Sequence, residues 1–375
     1  MDDEARTSSG LDPAHRREPR SRPPWGRRWP PRHPRPDGGA NSGYSRPAYA
    51  ALDLGTNNCR LLVARPIRDG FRVVDAFSRI IRLGEGMAVS GRLGEAAIER
   101  AIEALSVCRD KMRNRAVTRA RLIATEACRS AANGAEFRAR VQREVGLDLE
   151  IVDRETEAEL AAIGCTPLMD PEAEGVILFD IGGGSSEIVL LGRSQATNGG
   201  PPNPQIRAWA SLPVGVVSLA ERYGGVMVDN SVYEAMTAEV LVNVRRFAEA
   251  HCAGINLSAM HLLGTSGTVT TIAGLHLRLR RYDRRQVDGC WMVDAEVAAV
   301  LDELRRMSYD ERVASPCIGA ERADLVLAGC AILEAIRRVF PCARLRVADR
   351  GLREGMLVQM MRADEVWAHS SDYRS

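Results

Sequence analysis

The sequence predicts an α/β protein in which two related domains face a cleft. Apolar strands alternate with amphipathic helices along the chain, and its 375 residues are enough for two hydrophobic cores. A strand–turn–strand segment also occurs twice, as ALDLGTNNCRLLVA (51–64) and LFDIGGGSSEIVLL (178–191). We expect a first domain over 47–160 and a second over 161–349.

The first half of the chain contains hairpin strands followed by alternating helices and strands. The pattern predicts strands at 48–55, 59–66 and 71–77, a helix over 91–112, a strand at 121–124, a helix over 135–146 and a strand at 149–152. A further helix over 153–164 begins with Asp153, a residue suited to capping the helix N-terminus.

The second half repeats this order of elements. It predicts a hairpin over 176–192, a loop of Gly, Pro and Asn over 198–204, a strand, helices, a strand ending at Thr265, and further helices. Strands that alternate with helices around a duplicated hairpin predict two domains of the same kind.

Composition excludes several classes of protein. The chain is 45% hydrophobic and 27% charged, has no apolar run long enough to span a membrane, and lacks a signal-peptide core. Nine scattered cysteines without a C-x-x-C pair argue against a disulfide framework or a zinc ribbon, and the six histidines form no cluster. These features predict a cytoplasmic protein with no membrane partner, and they leave a homodimer open.

Charge is unevenly distributed. Residues 1–46 hold ten arginines against six acidic residues and are rich in proline, so we expect a disordered tail there, and residues 363–375 are expected to form a C-terminal tail. The rest of the chain holds 41 basic and 43 acidic residues. We therefore expect no specific nucleic-acid partner.

The duplicated turn predicts phosphate binding. In each copy an aspartate ends an apolar strand, and a turn of Gly, Thr, Asn or Ser follows, so that backbone N–H groups converge on one point. An ordinary hairpin turn is the alternative for one copy, but two copies that keep the aspartate favour phosphate. The predicted phosphate-binding residues are Gly55, Thr56, Asn57, Asn58, Gly182, Gly183, Gly184, Ser185 and Ser186.

A cation is expected beside these aspartates. A carboxylate next to a phosphate is repulsive unless a hard cation such as Mg²⁺ lies between them. Asp53, Asp180 and Glu187 are the candidate ligands of Mg²⁺, with Mn²⁺ as an alternative. Glu187 occupies the position that Arg60 has in the first copy, so we expect Arg60 to bind phosphate oxygens and Glu187 to hold metal or water.

The pattern resembles the phosphate-loop signature of the actin/hexokinase/Hsp70-like superfamily. Its specific residues are similar to those of the Ppx/GppA phosphatases, which are the bacterial exopolyphosphatases and guanosine pentaphosphate phosphohydrolases. The likeness spans about residues 48–362 and depends on eight separated motifs: DLGTNNCRLLV, ATEACRSAAN, ETEAELAAIG, FDIGGGSSEIVLL, LPVGVVSLAERY, LLGTSGTVTTIAG, ERADLVLAGCAIL and ADRGLREGML.

The resemblance implies two actin-like (ribonuclease H-like) domains facing an interdomain cleft, with a helix over about 350–362 packing back on the first domain. It also implies Mg²⁺-assisted hydrolysis of a terminal phosphoanhydride. The substrate would be inorganic polyphosphate or guanosine pentaphosphate, and the motifs leave both open because both present such a bond.

Glu157 matches the catalytic base when the family pattern is aligned on Ala158 and Leu160, and Thr156 stands where the family has a further acid. Glu155 and Glu159 lie on another helix face and are predicted to be solvated. Glu157 and Glu187 are therefore the predicted catalytic residues.

Three further motifs contribute candidates. By resemblance, Arg129 contacts phosphate in a motif that Thr125 and Asn133 also fit; a surface arginine is the alternative. A strand end that opens a helix can hold a second anion, and its residues are Gly264, Thr265, Ser266 and Gly267. Arg322 is a candidate for a distal phosphate or a base. In ADRGLREGML, Ala348 and Arg350 depart from the usual Ser-Asp-Gly, and we predict no site there.

Two other classes compete with a hydrolase. An ATP-dependent small-molecule kinase of the same superfamily would explain the Asp-Gly turns, but not the glutamate helix or Arg129. A non-catalytic polyphosphate-binding or nucleotide-binding regulator would use the arginines and not need Glu157. Phosphate release without an acceptor would distinguish the hydrolase from both.

Overall fold

The computed structural model describes residues 47–195 and 200–367. The predicted tail over 1–46 and most of the predicted C-terminal tail lie outside the described residues, as does part of the loop over 198–204. The described chain is built around two mixed sheets.

The first sheet has five strands in the order β3-β2-β1-β4-β5. β1, β2 and β3 are antiparallel neighbours, whereas β1, β4 and β5 run parallel. The strands are β1 (Ala48–Leu54), β2 (Asn58–Ile67), β3 (Gly70–Ile80), β4 (Val117–Ala124) and β5 (Glu150–Ile151).

The second sheet repeats this arrangement. Its order is β10-β11-β9-β6-β7-β8, in which β8-β7-β6-β9-β11 has the order and the directions of the first sheet, and β10 adds an antiparallel edge. The strands are β6 (Gly175–Ile181), β7 (Ser186–Gln195), β8 (Asn203–Leu212), β9 (Met260–Thr265), β10 (Trp291–Val293) and β11 (Arg344–Ala348). The predicted class, an α/β fold of two actin-like domains, is confirmed.

Helices cover both sheets. In chain order they are α1 (Met87–Ser90), α2 (Glu95–Asn114), α3 (Glu126–Ser130), α4 (Gly134–Glu144), α5 (Arg154–Cys165), α6 (Val216–Tyr223), α7 (Asn230–His251), α8 (Ser266–His276), α9 (Arg284–Val287), α10 (Asp294–Arg306), α11 (Tyr309–Ala314), α12 (Val326–Val339) and α13 (Leu352–Ala363).

Helices α5 and α13 form a pair between the two sheets. α13 packs on α5 and on strands β1 and β2, whereas α5 also packs on β7 and β8. The two helices can approach closely because glycines stand where they meet. A Cβ on Gly355 would lie 2.1 Å from the carbonyl oxygen of Leu160, and a Cβ on Gly164 would lie 2.0 Å from the carbonyl oxygen of Gly351. The pair therefore connects the two halves behind the cleft.

Most predicted boundaries agree with the structure to within a few residues. Strand β4 begins four residues before the predicted start, because polar side chains at Thr118 and Arg119 hid its alternation. Asp153 caps α5 as expected, since its side chain accepts a hydrogen bond from the Thr156 backbone N–H at 2.8 Å. Within the predicted C-terminal tail, Trp367 is buried and its indole N–H donates to the Ile67 carbonyl at 2.9 Å.

No helix in the described ranges is long and apolar enough to cross a membrane. The cytoplasmic location and the homodimer remain predictions of the sequence.

Candidate active site in the interdomain cleft

The two duplicated hairpins present equivalent side chains to one cavity. In the strand register, Asp53 lies opposite Arg60 in the first hairpin, and Asp180 lies opposite Glu187 in the second. Side chains directly opposite each other on antiparallel strands lie on the same face of the sheet. All four line a cavity of about 140 Å³ between the halves of the molecule.

The turns of the two hairpins touch each other across the cleft. A Cβ on Gly183 would lie 2.9 Å from the Thr56 Cβ, and one on Gly184 would lie 2.9 Å from the Thr56 hydroxyl oxygen. Side chains at these positions would push the turns apart. The glycines of the second turn are therefore needed for close approach to the first.

Hydrogen bonds fix the shape of both turns. The Gly55 N–H donates to the Asn58 carbonyl at 2.9 Å, and the carbonyl of Gly182 accepts the N–H of Val216 at the start of α6 at 2.9 Å. In the described part of the chain, the side-chain oxygens of Asn57 and Asn58 are buried and have no hydrogen-bond partner. Buried acceptors without a partner are costly, and a ligand of the cavity would satisfy them.

Most of the predicted site residues line this cavity. Those that do are Asp53, Gly55, Thr56, Asn57, Asn58, Arg60, Glu157, Asp180, Gly182, Gly183, Gly184, Ser185, Glu187, Thr265, Ser266, Gly267 and Arg322.

Three of the predicted phosphate-binding residues do not reach the cavity. Ser186 is fully buried and its hydroxyl donates to the Val214 carbonyl at 2.7 Å. Gly264 lies under the Phe179 ring, where a Cβ would come within 2.5 Å of it. Arg129 is turned toward Glu157.

Glu157 is the buried acid of α5. It is 8% exposed, whereas Glu155 and Glu159 are exposed on the outer face of the helix. Burial raises the pKa of Glu157 well above its usual range, and the neighbouring Glu187 charge raises it further. Arg129 opposes this rise.

Arg129 holds the Glu157 carboxylate in place. Its two terminal nitrogens donate to Glu157 Oε2 at 3.2 and 3.3 Å, and one of them also donates to the Val152 carbonyl at 2.7 Å. Arg129 pairs with Glu126 as well, which lies on the cavity wall. This arginine is thus fixed by bonds on several sides and orients the acid.

Glu187 is held by two hydroxyl groups. Ser185 and Ser211 both donate to Glu187 Oε1 at 2.9 Å, which leaves Oε2 for a ligand. Burial raises the pKa of Glu187 to about 7, and the charge of Asp180 adds to the rise.

The two aspartates are also difficult to ionise. Burial raises the pKa of Asp180 to about 6, with a further contribution from Asp53, and burial raises the pKa of Asp53 in the same direction. Arg60 opposes both shifts. Four acids that repel one another in a buried cleft would be stabilised by a bound cation.

The oxygen atoms in the cavity fit a hard cation. Asp53, Asp180 and Glu187 supply carboxylates, and Asn57 and Asn58 supply the unsatisfied amide oxygens, which are the donor types that Mg²⁺ prefers. Across residues 47–195 and 200–367, no three His, Cys, Asp or Glu side chains are grouped closely enough to hold a metal by themselves. A cation would therefore need phosphate or water oxygens to complete its coordination.

The sequence motifs did not indicate that residues around the start of α13 line the cavity. Asp349, Arg350 and Gly351, which precede α13, and Arg353, in its first turn, line the cavity, as does Glu126 on the other side. Parallel strands bring their carboxyl ends to one edge of a sheet, and β11 lies beside β9. The signal was therefore present: polar residues directly after β11 must lie near Thr265, whose hydroxyl donates to the Arg350 carbonyl at 2.6 Å.

The fold and the cavity define an α/β protein of two actin-like domains with an acidic, glycine-lined cleft between them. The chain belongs to the Ppx/GppA phosphatase family, whose model matches residues 62–364.

Relatives of this chain carry two kinds of name. The guanosine-5'-triphosphate,3'-diphosphate pyrophosphatase of Aeromonas salmonicida is 26% identical over 322 residues, which are 85% of this chain and 60% of that protein. Exopolyphosphatase 2 of Mycobacterium tuberculosis is 29% identical over 299 residues, or 77% of this chain and 89% of that protein. The chain thus spans about 60% of the length of the Aeromonas relatives that it matches.

Solved structures share the fold. The Aquifex aeolicus member of the family is 28% identical, with a TM-score of 0.69 over 85% of this chain and 98% of that one. An exopolyphosphatase of Cytophaga hutchinsonii, 24% identical, superposes with a TM-score of 0.74 over 84% of this chain and 98% of that one.

Proposed function

We propose that this protein is a phosphohydrolase that releases terminal phosphate from phosphoanhydride substrates. The substrate is inorganic polyphosphate, guanosine pentaphosphate or both, in keeping with the names of the relatives. One observation carries the proposal: two glycine turns and a buried, oriented glutamate face the same cavity.

The glycine turns hold the phosphate groups. Their approach leaves backbone N–H groups and the hydroxyls of Thr56 and Ser185 at the cavity wall. Arg60 and Arg322 supply positive charge at the same wall. Phosphoryl transfer depends chiefly on such positioning and charge stabilisation, because little covalent chemistry is left for the protein to perform.

Glu157 orients the attacking water and accepts its proton. A base works best when its pKa lies near the working pH, and burial moves Glu157 in that direction. Arg129 holds the Glu157 carboxylate in a fixed orientation and partly offsets the charge of the acids around Glu157. Arg129 is therefore a positioning residue.

Mg²⁺ fits the remaining acids. Asp53, Asp180 and Glu187 would hold it, directly or through water. When bound, it would neutralise charge on the phosphoryl oxygens.

The test is phosphate release by the full chain from polyphosphate and from guanosine pentaphosphate, side by side and without an acceptor, with Mg²⁺ titrated. We expect release from one or both substrates, loss of activity in EDTA and recovery with Mg²⁺ or Mn²⁺. Release only when a phosphate acceptor is added would indicate a kinase, and binding without release would indicate a regulator.

A matched pair of variants tests the base. Glu157→Gln should lower kcat by roughly 10²–10⁴ with little change in KM, because it keeps the shape and removes the basic group. Glu159→Gln changes the same residue type on the exposed face of the same helix and should leave both constants unchanged. Near wild-type turnover in Glu157→Gln would contradict the assignment.

A further inference from the structure

Arg353 is a cation in the cleft without a partner. It lies in the first turn of α13 and lines the cavity, and within residues 47–195 and 200–367 it has neither a hydrogen bond nor an ion pair. Arg60, which faces the same cavity from β2, likewise has neither within these ranges. Both side chains are partly buried and line the cavity, so their unpaired guanidinium groups can face a ligand there.

The other charges around Arg353 are already paired. Glu354 accepts from Arg284 at 2.9 Å and from the Gly351 backbone N–H at 2.9 Å. Arg350 pairs with Asp288. The charged residues that precede and follow Arg353 in the chain are therefore bound to other partners.

Two arginines face this end of the cleft. Arg60 lies opposite Asp53 across the first hairpin, and Arg353 lines the same cavity from α13. Because neither has a hydrogen bond or an ion pair within residues 47–195 and 200–367, both guanidinium groups are available to an anion. The N-terminus of α13 adds partial positive charge at the same place, because its first backbone N–H groups have no partner within the helix.

Arg353 is set apart from the proposed base along the helix pair. α5 and α13 run antiparallel, since Gly355 packs against Leu160 and Gly351 packs against Gly164, and this places Arg353 near the level of Ala162. Glu157 lies five residues earlier on α5, about 7.5 Å along the helix axis. An anion bound by Arg353 would therefore be a neighbouring group rather than the one beside Glu157.

We propose that Arg353 and Arg60, with the N-terminus of α13, form an anion subsite that binds a phosphate group of the substrate other than the one transferred. That the anion belongs to a phosphoanhydride substrate rests on the proposed function; the subsite itself rests on the unpaired arginines. Arg353 contributes to substrate binding and leaves the chemical step to Glu157.

The test is equilibrium binding of tripolyphosphate to the full chain with Mg²⁺ present and in the Glu157→Gln background, which separates binding from turnover, together with the melting temperature with and without this ligand. Arg353→Met should weaken binding roughly 10- to 100-fold, as expected for loss of charge-assisted hydrogen bonds. Arg353→Lys should retain part of the affinity because it keeps charge but loses the bidentate fork.

A matched control lies on the same helix. Arg362 donates to the backbone carbonyls of Pro201 and Pro202, outside the cavity residues, so Arg362→Met should leave tripolyphosphate binding unchanged. Without ligand, Arg353→Met should melt near the wild-type temperature, because Arg353 has no hydrogen bond or ion pair within residues 47–195 and 200–367 for the substitution to break. A lower melting temperature together with unchanged binding would show a structural ion pair and overturn the proposal.

Failure of the subsite and failure of the proposed function give different results. If wild-type protein binds tripolyphosphate through Arg353 but releases no phosphate, the hydrolase proposal fails and the subsite stands. If wild-type protein releases phosphate and Arg353→Met binds tripolyphosphate with wild-type affinity, the subsite fails and the hydrolase proposal stands.

Discussion

Arg60 and Glu187 occupy the same position in two copies of one hairpin, and their environments differ accordingly. Glu187 is buried and receives hydrogen bonds from two serines, whereas Arg60 is half-buried beside Asp53. Among the described residues, no ion pair joins Arg60 to Glu187. The two side chains are thus positioned for different tasks.

Kinetics should separate these tasks. Arg60→Ala removes charge that attracts the substrate before and during reaction, so KM should rise and its dependence on salt should fall. Glu187→Ala should instead lower kcat and raise the Mg²⁺ concentration needed for activity. Steady-state kinetics of both single variants and the double variant provide the measurement; identical effects with full non-additivity would contradict this division.

His261 is a buried residue whose charge state affects the whole fold. Its side chain is 0% exposed, its Nε2 accepts the Asp170 backbone N–H at 3.1 Å, and its Nδ1 lies 2.9 Å from the Leu262 carbonyl. Burial lowers the pKa of His261, and the nearby Arg344 and Arg346 lower it further, against the opposing effects of Asp170 and the Leu262 carbonyl. The neutral ring is therefore the native form.

This burial predicts that His261 contributes a loss of stability in acid. Below the ordinary histidine pKa of 6.5 the unfolded chain binds a proton that the folded chain does not, so the His261 contribution to the free energy of unfolding should fall as pH decreases, by up to about 1.4 kcal/mol per pH unit. The cleft acids, whose pKa values are raised, contribute with the opposite sign in both proteins, so the prediction concerns the difference between wild type and His261→Gln. In denaturant unfolding between pH 7.5 and 5, the free energy of unfolding of wild type minus that of His261→Gln should decrease as pH falls, and a constant difference would contradict the prediction. His251→Gln, at an exposed histidine, is the control.

At the scale of elements, the α5–α13 pair positions two of the proposed functional side chains. α5 carries Glu157 and α13 carries Arg353, and the two helices meet where glycines replace larger residues. The pair also packs on both sheets. The close packing of α5 against α13 therefore sets the positions of Glu157 and Arg353 relative to each other in the cavity.

Gly355→Ala should destabilise the protein by about 1–3 kcal/mol, because the added methyl group meets the Leu160 carbonyl at 2.1 Å and outweighs the gain in helix propensity. The measurement is the free energy of unfolding together with kcat. Gly94→Ala provides the control: no atom lies within 4 Å of its added Cβ, so its effect should be limited to the poorer N-cap preference of alanine at the start of α2, at most about 1 kcal/mol. Equal stability of both variants would show that the helix pair can separate without cost.

At the scale of the whole molecule, a contact joins the two halves on a second side of the cleft. Arg82, from the loop after β3, donates to both oxygens of Asp324 at 2.9 and 3.0 Å and to the Glu321 carbonyl at 3.0 Å. The neighbouring Glu221 accepts the backbone N–H of Gly86 at 2.8 Å. Asp324 directly follows the segment that carries Arg322, so this contact supports one wall of the cavity.

Breaking this contact should loosen the cavity. Arg82→Ala should raise KM by up to about fivefold, the size expected for a partly exposed ion pair, and should increase amide hydrogen exchange over 321–326. Arg92→Ala, which breaks an exposed pair with Glu136 within the first half, should change neither. Unchanged exchange over 321–326 in Arg82→Ala would show that the Arg82–Asp324 contact does not support this wall of the cavity.

Local features of the sequence were sufficient for much of this protein. Alternating strands, helical periodicity and the repeated hairpin predicted two domains of one kind, because backbone periodicity is a property of neighbouring residues. The family motifs and the helix pattern pointed to Glu157 and left Glu155 and Glu159 to solvent. The register of both hairpins also follows from the local sequence, since the short turn fixes Asp53 opposite Arg60 and Asp180 opposite Glu187.

Only the tertiary structure decided which of the remaining polar residues share the cavity. Arg129 turns to Glu157, Gly264 packs under a phenylalanine ring, and Arg353 enters the cleft from the far end of the chain. Arg353 and Asp53 are brought together by helix packing across nearly the whole sequence, and no local pattern encodes such a contact. Sequence periodicity shows which face of an element is buried, whereas the packing of distant elements determines what that face meets.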